Sequence, residues 1–284
     1  MTQIDSQAVK EQQRKDWGQS AEGWKKNDER LRTVTAPVTQ RLLGLAAVAP
    51  GSRVLDIACG TGQPAIPEAE LVGPAGFVLA IDMTPEMLDV ARENARERNL
   101  HNVEFRLSDG EEIDVPPASF DAVTCRWGLM FMPEPMRCLS NACRALKPGG
   151  RIAVAVWGPP ERNPFFVLPM AILRKYADIP VPDPNAPGVF ALADRAKLQF
   201  IVEQAGFHDV MLEEMELPMA EYDSGTEYWN FTREMVGPLK SALEKLSPKQ
   251  QKAAGKEIAA AAAGGDARKP VSLKGNPILA TGVK

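Results

Sequence analysis

Asp56, Gly60, Gly62 and Asp82 are the residues of this 284-residue chain whose types and spacing are suited to chemistry. The run Val54-Leu55-Asp56-Ile57-Ala58-Cys59-Gly60-Thr61-Gly62 reads as an apolar strand that ends in an acid and turns on glycines. About twenty residues later, Phe77 to Asp82 reads as a second apolar strand ending in another acid. Glycines let the backbone approach a ligand without a Cβ clash, and an acid closing the neighbouring strand presents a carboxylate to a ribose diol. Together they describe a pocket for an adenosine-bearing ligand, with Met83 placed to pack on the adenine face. Asp56, four residues before Gly60, would oppose the pyrophosphate that a dinucleotide sets on the following helix N-terminus. A cationic ligand suits this turn better, and S-adenosylmethionine, which carries an ammonium and a sulfonium, is the cofactor expected.

With its downstream acids, VLDIACGTG at 54–62 resembles the class I S-adenosylmethionine-dependent methyltransferases, particularly the branch of ubiquinone and menaquinone biosynthesis methyltransferases. The likeness covers about residues 40 to 215. It implies a Rossmann-like fold, and it implies that Asp109, after the third strand, accepts a hydrogen bond from the adenine amine while the Gly110 amide meets a ring nitrogen. It also implies that insertions cover the substrate pocket. Arg126-Trp127-Gly128-Leu129-Met130-Phe131 leaves the carboxyl end of a fourth strand, beside the ligand crevice of an open α/β sheet. Arg126 and Leu129 are placed there to flank the methionine portion, and Trp127, Met130 and Phe131 to floor an apolar acceptor pocket. Trp17, Trp24 and Trp229, in the cap and insertion regions, are further candidates for a greasy lid over it.

No catalytic base declares itself. His101 precedes the third strand, at the amino end of the sheet, and His208 follows a helix-ending glycine, so both read as structural. Methyl transfer from a sulfonium is an in-line displacement that can run on proximity and alignment when the nucleophile is already reactive. Otherwise a carboxylate or tyrosine from residues 160–235 must take the proton. The Asn/Asp-Pro-Pro-aromatic sequence expected of a base methyltransferase after strand four is not there, and Gly158-Pro159-Pro160 follows strand five instead. A small, largely apolar acceptor, phenolic, quinol or secondary metabolite, fits best, with O-, C- or N-methylation open. Two other readings stay open. One is a nicotinamide-dependent oxidoreductase, against which stand Asp56 and Ala65 at the third glycine's place; the other is a cofactor-binding, catalytically silent partner protein.

Positioning these residues requires alternating strands and helices. The apolar runs predict strands at 53–57, 77–81, 103–107, 120–125 and 150–156, with helices at 64–72, 85–98 and 135–146 between them. Thr84 is the expected N-cap of the second of these, with Pro85 in its first turn. Two further helices are expected over 5–32 and from Pro37 through Val48. Downstream, a helix is expected over 194–205, a sixth strand over 210–217 and a seventh over 277–283. The result is an α/β, doubly wound sheet of about seven strands with helices on both faces. Its expected parts are an N-terminal helical cap (1–36), a core (37–158), a Pro-rich lid insertion (159–193), a core continuation (194–221), a helical lid insertion (222–270) and a last core strand (271–284).

A net charge of −4 disfavours nucleic acid as a partner, and no apolar run reaches the ~20 residues that span a bilayer, so stable membrane insertion is not expected. Cysteines at 59, 125, 138 and 143 form no CxxC pair, and with two histidines they give poor support for a metal site. The expectation is a cytoplasmic monomer or homodimer with reduced thiols, acting on a small molecule.

Overall fold

The computed structural model describes residues 5–181, 183, 186–235 and 237–284. The first four residues of the predicted cap, positions 182, 184 and 185 of the predicted Pro-rich insertion, and position 236 of the second insertion lie outside the described residues.

Two helices open the chain, α1 (Ser6–Lys26) and α2 (Asp28–Leu45). The core follows as β1 (Arg53–Ile57), α3 (Ala65–Val72), β2 (Phe77–Asp82), α4 (Pro85–Glu97), β3 (Val103–Leu107), β4 (Phe120–Arg126), α5 (Pro135–Ala145) and β5 (Leu146–Trp157). After α6 (Pro164–Leu173) and α7 (Arg195–Gln204) come β6 (His208–Glu214), β7 (Leu217–Tyr222), α8 (Gly225–Met235), α9 (Gly237–Glu244), α10 (Pro248–Ala262), β8 (Val271–Gly275) and β9 (Pro277–Val283). Seven strands form one sheet in the order β3-β2-β1-β4-β5-β9-β6, and β7 pairs with β8 as a separate ribbon. β1 to β5 pair in parallel, whereas β9 runs antiparallel to both β5 and β6. β1, β2, β4 and β5 read as largely apolar runs because both sheet faces are covered there, as Val54, Leu55, Val78, Val123 and Val154 show by their burial, whereas the edge strand β3, Val-Glu-Phe-Arg-Leu, alternates and is largely exposed.

The chain winds outward from β1 through β2 to β3, then returns to β4 and β5 on the other side. That reversal opens a crevice at the carboxyl ends of β1 and β4, where an open α/β sheet takes its ligand.

Three sequence expectations are corrected. Pro37 does not open a helix but lies inside α2. The missing amide costs one intrahelical bond, and the helix is secured on either side of it by Thr35 and Thr39, whose hydroxyls accept from Arg126. The expected strand 210–217 is two elements: β6 stays in the sheet, and after Met215-Glu216 the chain leaves it to form β7 against β8. The expected Pro-rich lid contains α6, Pro-Phe-Phe-Val-Leu-Pro-Met-Ala-Ile-Leu, which is apolar all round and so carries no helical period to read.

Candidate functional site

The loops at the carboxyl ends of β1, β2, β3 and β4 converge on a cavity of about 220 Å³ that runs from the glycine turn to a chamber beneath α1, α6 and α8. At the turn, Ala58, Gly60 and Gly62 all take positive φ, 59°, 53° and 98°. Gly60 lines the cavity, and a Cβ there would meet open space, so its glycine serves the left-handed backbone. Gly62 does not line the cavity: a Cβ would come within 2.8 Å of Ile66 Cδ1 and 3.5 Å of Ala91, so it lets the turn pack on α3 and α4.

Asp82 ends β2 on the cavity wall, only 9% exposed. Its Oδ2 accepts from the Gly60 amide at 2.9 Å and its Oδ1 from the Thr84 amide at 2.8 Å. Burial raises its pKa above the ordinary carboxylate value, opposed by the amides of Gly60 and Thr84, the Thr84 hydroxyl and the Met83 amide. An ionised carboxylate is an acceptor only, which suits a ligand hydroxyl at this wall of the cavity. Met83 lines the cavity beside it. Asp109 and Gly110 line the wall after β3. Asp109 Oδ1 accepts from the Glu111 amide at 2.8 Å, and its Oδ2 meets Lys10 Nζ at 2.6 Å. Lys10 also reaches Glu111 at 2.5 Å, which ties α1 to this loop.

Asp56 is placed differently from the expectation. It is fully buried beneath the turn and does not line the cavity. Thr124 Oγ1 donates to Glu68 Oε1 at 2.6 Å and lies 3.3 Å from Asp56 Oδ1, so one hydroxyl proton serves two carboxylates. Burial, then the Glu68 charge, pushes Asp56 well above its ordinary value, and burial pushes Glu68 up to about 7, against Thr124 and Arg126. A proton shared by this pair is what the environment favours. Asp56 therefore shapes the turn from below and does not present a charge to the ligand. Arg126, at the end of β4, bridges this buried layer to the cavity it lines; its Nη1 donates to Thr35 and Thr39 at 2.7 and 2.9 Å, and its Nε has no partner.

Beyond Arg126, Trp127 holds a positive φ of 59° and stacks on Trp157, centroids 4.6 Å apart and planes at 6°. Gly128 follows because a Cβ there would lie 2.3 Å from that of Ala58. Met130 and Phe131 line the cavity as expected of pocket-floor residues, and so do Trp17, edge-on to Phe131 at 5.3 Å, and Trp24. Leu129 is instead wholly buried in the core and outside the lining. Trp229 is also outside it: its indole packs on α10, where a Cβ at Gly255 would lie 2.4 Å from Nε1. Both depart from the sequence reading because a helix or turn carries some of its apolar residues into the core, and the direction is not written in residue type.

Several lining residues were not singled out from sequence. Gln63, next to the glycine turn, has an unpartnered Nε2, and Lys10, Arg30, Trp157, Met219 and Tyr222 also line the cavity. Gln63 had a signal in its adjacency to the turn and Trp157 in closing β5; the others depend on the folding of α1, α2 and the β7–β8 ribbon over the crevice.

The residues around the turn fit S-adenosylmethionine. Asp82 presents a carboxylate at the cavity wall where a ribose diol would bind, Gly60 leaves the backbone side open, and Gln63 and Arg126 each carry a buried donor with no protein partner. A doubly wound sheet with these loops at its switch point is a Rossmann-like fold. Residues 49–161 match a family described as a methyltransferase domain. A demethylmenaquinone methyltransferase of Listeria welshimeri is 43% identical over 109 residues, 38% of this chain and 46% of that protein. The aklanonic acid methyltransferase DauC of a Streptomyces species is 36% identical over 147 residues, 49% of this chain and 66% of that protein. The first of these relatives is thus matched over about half of its length. The fold is shared with the YcgJ protein of Bacillus subtilis, at a TM-score of 0.57, 21% identity and coverage of 87% of this chain and 97% of that one.

Proposed function

We propose that the whole chain is a methyltransferase that binds S-adenosylmethionine at Gly60, Asp82, Met83, Asp109, Gly110 and Arg126 and transfers its methyl group to a small, largely apolar acceptor. The observation that carries this reading is the continuity of the cavity: one space joins the loops after β1, β2 and β3 to a chamber walled by Trp127, Trp157, Phe165, Phe166 and Phe231. The two named relatives act on a demethylmenaquinone and on aklanonic acid, which supports a ring-bearing acceptor here. Four free thiols, three of them buried, support a reducing, cytoplasmic setting.

Bound S-adenosylmethionine supplies an electrophilic methyl on a sulfonium, displaced in line by the acceptor with the electron pair leaving on sulfur. Asp82 fixes the ribose end through its two oxygens, each already oriented by a backbone amide. Gln63 and Arg126 offer donors to the carboxylate of the methionine portion. The aromatic wall excludes water and aligns the acceptor, which is the contribution that proximity makes to such a displacement. Burial pushes the phenol of the lining Tyr222 well above its ordinary value, so it stands there as a neutral hydroxyl.

Incubating the chain with tritium-methyl-labelled S-adenosylmethionine and a panel of phenols, quinols and aromatic amines tests the proposal. Labelled product from at least one acceptor is expected. Cofactor binding with no transfer across the whole panel would move the assignment to a silent binder, and an absorbance change at the nicotinamide band would move it to an oxidoreductase.

A further inference from the structure

Resting on the methyltransferase reading above, the acceptor chamber carries a charge distribution that selects among acceptors. Its wall is a succession of rings: Trp127 stacks on Trp157, Trp157 meets Phe166 at 4.9 Å, Phe166 meets Phe165 at 5.0 Å, Phe165 meets Phe231 at 6.5 Å, and Phe231 meets Tyr222 at 5.5 Å. The series starts at Arg126, whose guanidinium carbon is 4.8 Å from the Trp127 ring, and ends at Arg30, whose guanidinium carbon is 3.7 Å over the Tyr222 ring. Arg30 and the Thr35 that binds Arg126 share α2, five residues apart, or about 7.5 Å along the axis.

The three acids of the lining, Asp82, Asp109 and Glu111, all belong to the cofactor end. Lys10 is neutralised there by Asp109 and Glu111, and Arg126 faces the buried Asp56 and Glu68. Arg30, paired with Glu227, is the lining cation at the chamber's far end. Its Nη1 bonds Glu227, a 43% exposed side chain, and its Nη2 the Glu221 carbonyl; a guanidinium has five N–H donors, so the fork keeps capacity for a ligand. Stacking on Tyr222, with Phe231 at 5.7 Å, fixes its plane. Tyr222, 5% exposed and held protonated by its burial, lines the same end as a neutral hydroxyl donor.

We propose that Arg30 and Tyr222 anchor an anionic oxygen of the acceptor, so that the preferred acceptor is a flat, apolar ring system bearing a carboxylate or ionised phenol at the end away from the methyl that is transferred. The anion is an anchor and is not the atom methylated. Charge-assisted bonds from a planar fork in an apolar chamber are strong enough to separate an acid from its uncharged isostere.

The test is a fluorescence titration of the full chain with 2-naphthoate and with 2-naphthamide, each with and without S-adenosylhomocysteine. The wild type is expected to favour the naphthoate by about tenfold, Arg30→Met to lose that preference while keeping its affinity for the amide, Arg30→Lys to keep an intermediate part of it, and Tyr222→Phe to reduce it. Equal affinity for the two probes, no binding of either, or a preference retained by Arg30→Met overturns the proposal. Should Arg30→Met melt early, Arg30→Lys carries the same test. Failure of the methyltransferase reading would show separately, as no binding of S-adenosylhomocysteine alongside whatever the naphthoate ratio reports.

Discussion

Asp82 is oriented by the amides of Gly60 and Thr84 at the cavity wall, so its charge matters more than its bulk. Asp82→Ala is expected to weaken S-adenosylhomocysteine binding more than about tenfold in calorimetry, through loss of charge-assisted hydrogen bonds. Because burial raises its pKa, protonation sets in above the ordinary value, and a protonated carboxyl surrenders acceptor capacity. Affinity for the product should therefore fall as pH is lowered, with a midpoint above 3.8, and this fall should vanish in Asp82→Asn. A pH-independent affinity in the wild type would contradict it. At this scale the sequence was informative for strand ends: Asp82, Asp109 and Arg126 reach the cavity because the carboxyl end of each parallel strand must open on the crevice. It was uninformative for Asp56, four residues before Gly60 yet facing down into a layer of Thr124 and Glu68, because spacing along a strand gives no depth.

Elements are coupled through that buried layer. β1 contributes Asp56, α3 Glu68, β4 Thr124 and Arg126, and α2 the two threonines that hold Arg126. Glu68, raised from 4.5 to about 7, keeps its proton in the folded state over a range where the unfolded chain has lost it. The folded state thus binds more protons between these values, and stability falls as pH rises from about 4.5 to about 7, then levels. Asp56, also raised by burial, adds to the same fall, so Glu68→Gln is expected to make that part of the curve shallower in denaturant titrations; an unchanged slope would show that Glu68 does not titrate there. A second coupling joins α8 to α10. A Cβ at Gly225 would stand 1.9 Å from the Ala259 carbonyl oxygen, so Gly225→Ala forces the helices apart at a cost of about 1–3 kcal/mol. Since α8 supplies Phe231 to the chamber wall while the cofactor loops lie on the sheet, the variant should lose acceptor binding and retain that of S-adenosylhomocysteine. Loss of both would mean that the two ends are not separable. The alternating elements were legible because each has a clear period or cap; α6 was not, being apolar on every face, and β7 was not, because its partner β8 lies far along the chain.

For the whole molecule, the division of labour follows the sheet. The crevice at the β1–β4 reversal is a fixed feature of the topology, and it could be anticipated from apolar runs and glycines alone. The chamber over it is assembled from segments distant in sequence: α1 and α2 at the N-terminus, α6, the β7–β8 ribbon and α8. Residue types hinted at a greasy lid, but which tryptophans it uses, Trp17 and Trp24 and not Trp229, depends on how these pieces close. The central claim is that the crevice binds S-adenosylmethionine as its donor, and calorimetric titration of the full chain with S-adenosylhomocysteine tests it most directly. Saturable binding at one site per chain, weakened by Asp82→Ala, is expected. Absence of any binding heat at about 100 μM ligand, a concentration that detects interactions of about −5 kcal/mol and tighter, would contradict it.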